Sequence, residues 1–226
     1  MSIIHLNTFV KLGGDPEDAD AIRWLRPRVA AVPGFTIEKI LPVGSTRALT
    51  RYLKHLGLWP GGKDLLQEVH YSRSTDGKDC SYSALGWKNE AGGWVIQNSR
   101  WRGLLGQKGI TVRLGSPLHV AVFESYFDFL KWHQAYKAPE HTVIVLNSSD
   151  FLDAGIFLCR YFKQAELFFS NERFWKRIQL RYGSVIDRSV EYAPLNEGYR
   201  NFLDSQSKNY CKPTTYEPLH RCQRTP

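Results

Sequence analysis

From residue 118 onward, apolar β-branched runs alternate with segments of helical spacing, and this rhythm leaves few folds open. "LHVAVFE" and "HTVIVLN" are such runs and "AELFF" is a shorter one. Strands buried on both faces read as continuous apolar stretches, and their alternation with helices builds a parallel sheet covered by those helices. The spacing predicts helices over residues 125–136, 151–162 and 172–182. In such a sheet the carboxyl ends of the strands open onto one crevice, the usual place for a site. Those ends supply Glu124, then residues 147–150, then 170–172.

The preceding sequence reads differently. Leu49, Tyr52, Leu53 and Leu56 fall at helical spacing over residues 45–56, with Ser45 as N-cap and Gly57 as stop. Residues 66–114 alternate apolar and polar positions between turns such as "TDGKD" and "NEAGG", the pattern of antiparallel strands. A short helix is expected around residues 20–26, ended by Pro27. The expected fold is α/β, in four parts. An N-terminal segment (1–44) leads into a smaller, β-rich α+β basic region (45–116), the parallel-sheet domain (117–205) and a polar, proline-containing tail (206–226).

Thirty Lys and Arg residues against 22 Asp and Glu give a net charge of +8, which points to a polyanionic partner such as nucleic acid. Arg100, Arg102, Lys108 and Arg113 surround Trp101, a combination suited to phosphates beside a stacked base and equally to a solvated hairpin. In "NERFWKRIQLRY", Arg173, Lys176, Arg177 and Arg181 lie mainly opposite an apolar stripe and beside the expected crevice, an arrangement suited to phosphate contact and equally to a solvated face. Trp87, Trp94 and Trp101 of the β-rich stretch are expected in the core rather than on a stacking platform, and His119 and His133 are read as structural.

Four scattered cysteines indicate neither a disulfide framework nor a four-cysteine zinc site. Cys211, His220 and Cys222 offer three ligands at a spacing unlike the usual tetrahedral motifs, so zinc is not expected. No apolar run approaches the ~18 residues of a membrane helix, and the first residues lack a secretory pattern, so a cytoplasmic location is expected.

Phosphodiester chemistry uses hard oxygen ligands for magnesium and a proton-transfer group near the phosphate, and adjacent carboxylates supply both. Glu124 ends the first strand and Asp128 follows one helical turn later. "HVAVFESYFDFL" resembles the first signature of Toprim domains. The order "ALTRYLKHLGL", "SYSALGWKNEAGGWVIQNSRWRGLLGQKGI", "VFESYFDFL", "VIVLNSS" and "DRSVEYAPLNEGYRNFL" resembles Toprim primase-like proteins of mobile elements in Bacteroidetes-type bacteria, over residues 45–205.

The resemblance implies that Glu124 acts as general acid or base and that Glu124, Asp128 and Glu172 hold magnesium. It departs from the family pattern at "FFSNERFW", where Ser170 and Glu172 stand in place of two aspartates and Trp175 in place of a common glycine. Ser125 replaces the glycine that usually follows the glutamate, and residues 1–40 lack the Cys and His set of the family's zinc finger. Two functions follow. One is a nucleic-acid-binding protein of primase ancestry, acting on single-stranded or primed DNA, with magnesium-dependent primer synthesis or cleavage. The other is a catalytically silent subunit that docks nucleic acid or protein partners in a mobile-element or defence assembly.

Overall fold

Ile4, Phe9, Leu12, Ala21 and Trp24 are buried together in the first part of the chain, on or beside two short helices, α1 (Leu6–Lys11) and α2 (Ala19–Leu25). The computed structural model describes residues 4–25, 34–75, 78–136, 140–169 and 185–188. Strand β1 (Thr36–Pro42) and helices α3 (Arg47–His55) and α4 (Trp59–Leu65) follow. Next come β2 (Gln67–Thr75), β3 (Lys78–Lys88), β4 (Trp94–Gln97) and β5 (Arg102–Leu105). These form an antiparallel five-stranded sheet in the order β1-β2-β3-β4-β5.

The second half contributes β6 (Thr111–Arg113), β7 (Ser116–Phe123), α5 (Tyr126–Ala135), β8 (His141–Val145), α6 (Leu152–Cys159), β9 (Gln164–Phe168) and β10 (Val185–Asp187). Their sheet runs β10-β9-β7-β8-β6, parallel except for β6, which lies antiparallel to β8. The chain is therefore a mixed α/β protein, as its strand and helix rhythm predicts. Strand β6 falls within the sequence of the basic region yet belongs to the second sheet.

Three apolar layers hold these elements. One face of the second sheet, through Val120, Val122, Ile144, Leu146 and Leu167, packs against α1, α2 and α6. The other face, through Ala121, Phe123, Val143, Val145 and Phe168, packs against α5. That same layer takes in Leu49, Tyr52 and Leu53 of α3 and the inner face of the first sheet at Leu85, Trp87 and Val95. The third layer lies on the outer face of the first sheet, at Val69, Tyr71, Ala84, Trp94, Ile96 and Leu105.

One local detail differs from the sequence expectation. The N-cap of α3 is Thr46, and neither it nor Ser45 supplies the capping side chain; Ser45 Oγ donates instead to the Pro42 carbonyl at 2.8 Å. The orphan amides at this helix start are met from β2, where fully buried Glu68 accepts from Gly44 N at 2.9 Å and Thr46 N at 3.0 Å through Oε1. A carboxylate there satisfies the donors and matches the positive end of the helix dipole. Gly57, at φ +68°, stops the same helix as expected.

Burial, with a contribution from Tyr82, pushes the Tyr71 phenol up to about 12. The folded pKa lies above the unfolded value near 10, so this stability is complete below pH 10 and is lost as pH rises toward about 12. Denaturant melts at stepped alkaline pH should show the midpoint falling across that window, with a smaller fall in Tyr71→Phe. An identical alkaline loss in both proteins would refute the assignment.

Candidate site at the strand ends

Strand β7 lies in the middle of the second sheet, with β8 on one side and β9 on the other. The connection through α5 leaves β7 toward β8, and the next, through α6 on the opposite face, crosses to β9. Neighbouring connections that part in this way open a crevice at the carboxyl ends of the strands. Glu124, the first residue after β7, stands at that point, half-buried.

Beside it lies Asn147, just past the end of β8 and, among the described residues, the one non-glycine with positive φ, at 62°. Its backbone N–H donates to the Glu124 carbonyl at 3.0 Å. Its side-chain oxygen accepts from Trp87 Nε1 at 2.9 Å, and its Nδ2 donates to the Gly109 carbonyl at 3.0 Å and to Thr111 Oγ1 at 2.9 Å. One side chain thus ties the end of β8 to β3 in the first sheet and to the start of β6. Sequence reasoning placed Asn147 at a strand end without giving it this role. The available signal is asparagine's tolerance of the left-handed region where an apolar run stops.

Asp128 is on the first turn of α5, as expected, and is buried. Ser125, the N-cap, donates its hydroxyl to Asp128 Oδ2 at 2.7 Å and accepts from the Asp128 amide at 3.2 Å. Lys131 Nζ lies 3.7 Å from Oδ1. Both oxygens therefore already have partners, in a reciprocal cap that fixes the start of α5 next to Glu124. Among the described residues no group of three or more His, Cys, Asp or Glu could hold a metal ion. Glu172, Ser170, Arg173, Lys176 and Arg177, like Cys211, His220 and Cys222, lie outside the described residues.

The neighbouring wall is aromatic. Tyr126 stacks on Trp87 with centroids 4.9 Å apart and donates its hydroxyl to the Leu65 carbonyl at 3.2 Å. Burial raises its phenol pKa and Arg113 pulls it back, while burial and Arg113 together lower that of His133. Trp87 and Trp94 are core residues, as expected, whereas Trp101, expected in the core with them, is exposed, because it lies in the turn before β5 and packs on the rim of the sheet's outer face.

The basic residues separate. Lys108, exposed, precedes β6 and lies 3.5 Å from Asp150 at the carboxyl end of β8, beside the crevice. Arg102 begins β5 and pairs with Gln97, whose Nε2 donates to Tyr52 on the inner face. Three residues of strand, roughly 10 Å, separate Arg102 from Leu105, and Arg100 lies in the turn before β5 at that far end. The structure thus brings Glu124, Asp128 and Lys108 toward one crevice and places Arg100 and Arg102 elsewhere.

Fold and crevice together define the class: a mixed α/β protein with an open, largely parallel sheet and a carboxylate at its switch point. Residues 37–106, the antiparallel sheet and its helices, match the family model described as "Domain of unknown function (DUF8464)". No curated protein matches. Among solved structures, the chain is similar to the primase fragment of the bacteriophage T7 primase-helicase protein, with 12% identity, a TM-score of 0.41 and 85% of each chain covered. It is also similar to a chain in a structure of the bacteriophage T7 lagging-strand DNA polymerase interacting with primase domains. There the identity is 14%, the TM-score 0.33, and the coverage 66% of this chain and 79% of that one.

Proposed function

We propose that this chain is a Toprim-like nucleic-acid-binding protein of primase ancestry, in which the crevice at the end of β7 is the place of phosphodiester chemistry. The observation that carries the reading is Glu124 at the parting of the β7 connections, the position expected of the proton-transfer group in the Toprim signature that "HVAVFESYFDFL" resembles. Lys108 at the rim and the net charge of +8 favour a phosphate-bearing polymer, for which single-stranded or primed DNA is the proposed form. A magnesium ion would need an oxygen ligand beyond Glu124 and Asp128, and Glu172 is the residue proposed for it.

The partners of Asp128 favour a second reading, in which the module is catalytically silent and retained for binding nucleic acid or a protein partner. A carboxylate held by Ser125 and Lys131 is a structural cap before it is a ligand.

Primer synthesis and strand cleavage assayed with and without magnesium separate the two readings. On the first, the wild type forms product only with magnesium, and Glu124→Gln lowers the rate roughly 100- to 10,000-fold. Product formation unchanged by Glu124→Gln sinks the assignment of the crevice. Wild-type binding with no product under any metal condition establishes the silent reading.

A further inference from the structure

The outer face of the antiparallel sheet, turned away from the crevice, carries a cluster of rings on neighbouring strands. Tyr71 of β2 and Tyr82 of β3 stack with centroids 5.3 Å apart and planes at 18°. Phe35 meets Tyr71 edge-on at 5.8 Å, and Trp101 lies 6.5 Å from both Phe35 and Tyr71. Tyr71 is the buried floor of this cluster, and Phe35 and Tyr82 are half-buried around it.

Trp101 is the exposed member, at 43%. Its indole Cη2 and Cζ2 occupy the place a Cβ on Gly103 would take, so glycine there lets the ring settle on the sheet. The Arg73 guanidinium lies over the Phe35 ring at 5.3 Å, and Arg100 directly precedes Trp101; both arginines are exposed. A guanidinium held over a ring still has N–H groups to offer a phosphate. Asp79, at the end of the hairpin, alternates onto the opposite face from Cys80 and Tyr82.

An exposed ring anchored on an aromatic floor, with cations at its margin, has the chemistry of a base-stacking surface beside a phosphate track. We infer that this outer face is a platform for single-stranded nucleic acid, with a base on Trp101 and the flanking phosphates on Arg73 and Arg100. The occupant is single-stranded because a duplex keeps its bases stacked inside, whereas a free strand offers a π-face to the indole. The inference rests on the nucleic-acid-binding reading above and adds a second contact surface distinct from the crevice.

The test is titration of the full chain with fluorescein-labelled oligothymidylate across a salt series. Trp101→Ala should weaken binding roughly 5- to 150-fold, with the melting temperature kept, and Trp101→Phe should recover most of the loss. Arg100→Ala should lower the slope of log affinity against log salt by about 0.7. Wild-type affinity in Trp101→Ala overturns the platform and leaves the crevice reading standing. Affinity lost in Trp101→Ala, in a protein that forms no product with magnesium, keeps the platform and overturns the crevice chemistry. Equal affinity for duplex and single strand also overturns the platform.

Discussion

Asn147→Ala should cost the fold about 2–4 kcal/mol, as the sum of two separable effects. Removing the side chain leaves Trp87 Nε1, on a buried indole, without its acceptor, a loss of about 1–3 kcal/mol. Placing alanine at φ 62° adds about 1 kcal/mol of backbone strain. For a chain of this length the melting temperature should fall by roughly 5–15 °C. Asn147→Gly isolates the first effect, since glycine accepts the left-handed conformation freely and is expected to be about 1 kcal/mol less damaging than alanine. Because the Asn147 amide bonds to the Glu124 carbonyl, both variants should also lower any activity that depends on Glu124. Calorimetry of the three proteins decides the matter, and equal stability of all three would show that the hub holds nothing.

Phe9→Ala should be as damaging, at about 3–5 kcal/mol. Phe9 is 1% exposed, stacks on Phe157 at 6.4 Å, meets Tyr161 edge-on at 5.5 Å and covers Gly14. Residues 4–25, which as sequence carry no nameable chemistry, complete the layer that α6 begins. Asp18 reinforces the join through Arg160 at 3.0 Å. A loose appendage would tolerate the substitution to within about 0.5 kcal/mol, so a melting temperature indistinguishable from wild type would disprove this placement.

How much of this was legible beforehand depends on where each element finds its partners. Strands β7, β8 and β9 carry their own signal, because burial on both faces demands unbroken apolar runs. The first turn of α5 is legible too, since Ser125 and Asp128 stand at capping spacing. Strand β1 was not, for it is an edge strand with almost every residue exposed and shows no alternation. Helix α4 contains Pro60, Gly61 and Gly62, poor helix formers that are held by packing, Gly62 lying against Leu53. Strands β6 and β10 have three residues each, and only their neighbours make them strands. At the site, the sequence shows Glu124 and Asp128 but not that Lys131 and Ser125 occupy Asp128. Nor does it show that Glu68, distant in sequence, caps α3.

The ion pair between Asp18 and Arg160 joins positions 142 apart, fastening the start of α2 to the end of α6, which is synthesised long after it. Until β7, β8 and α6 have been made, Phe9, Leu12 and Trp24 lack the layer on which they settle. Closing so long a loop late makes folding slow and leaves apolar side chains waiting in water, where other nascent chains compete for them. Yield in the cell should therefore depend on translation speed and chaperone supply more than the stability of the finished protein would suggest.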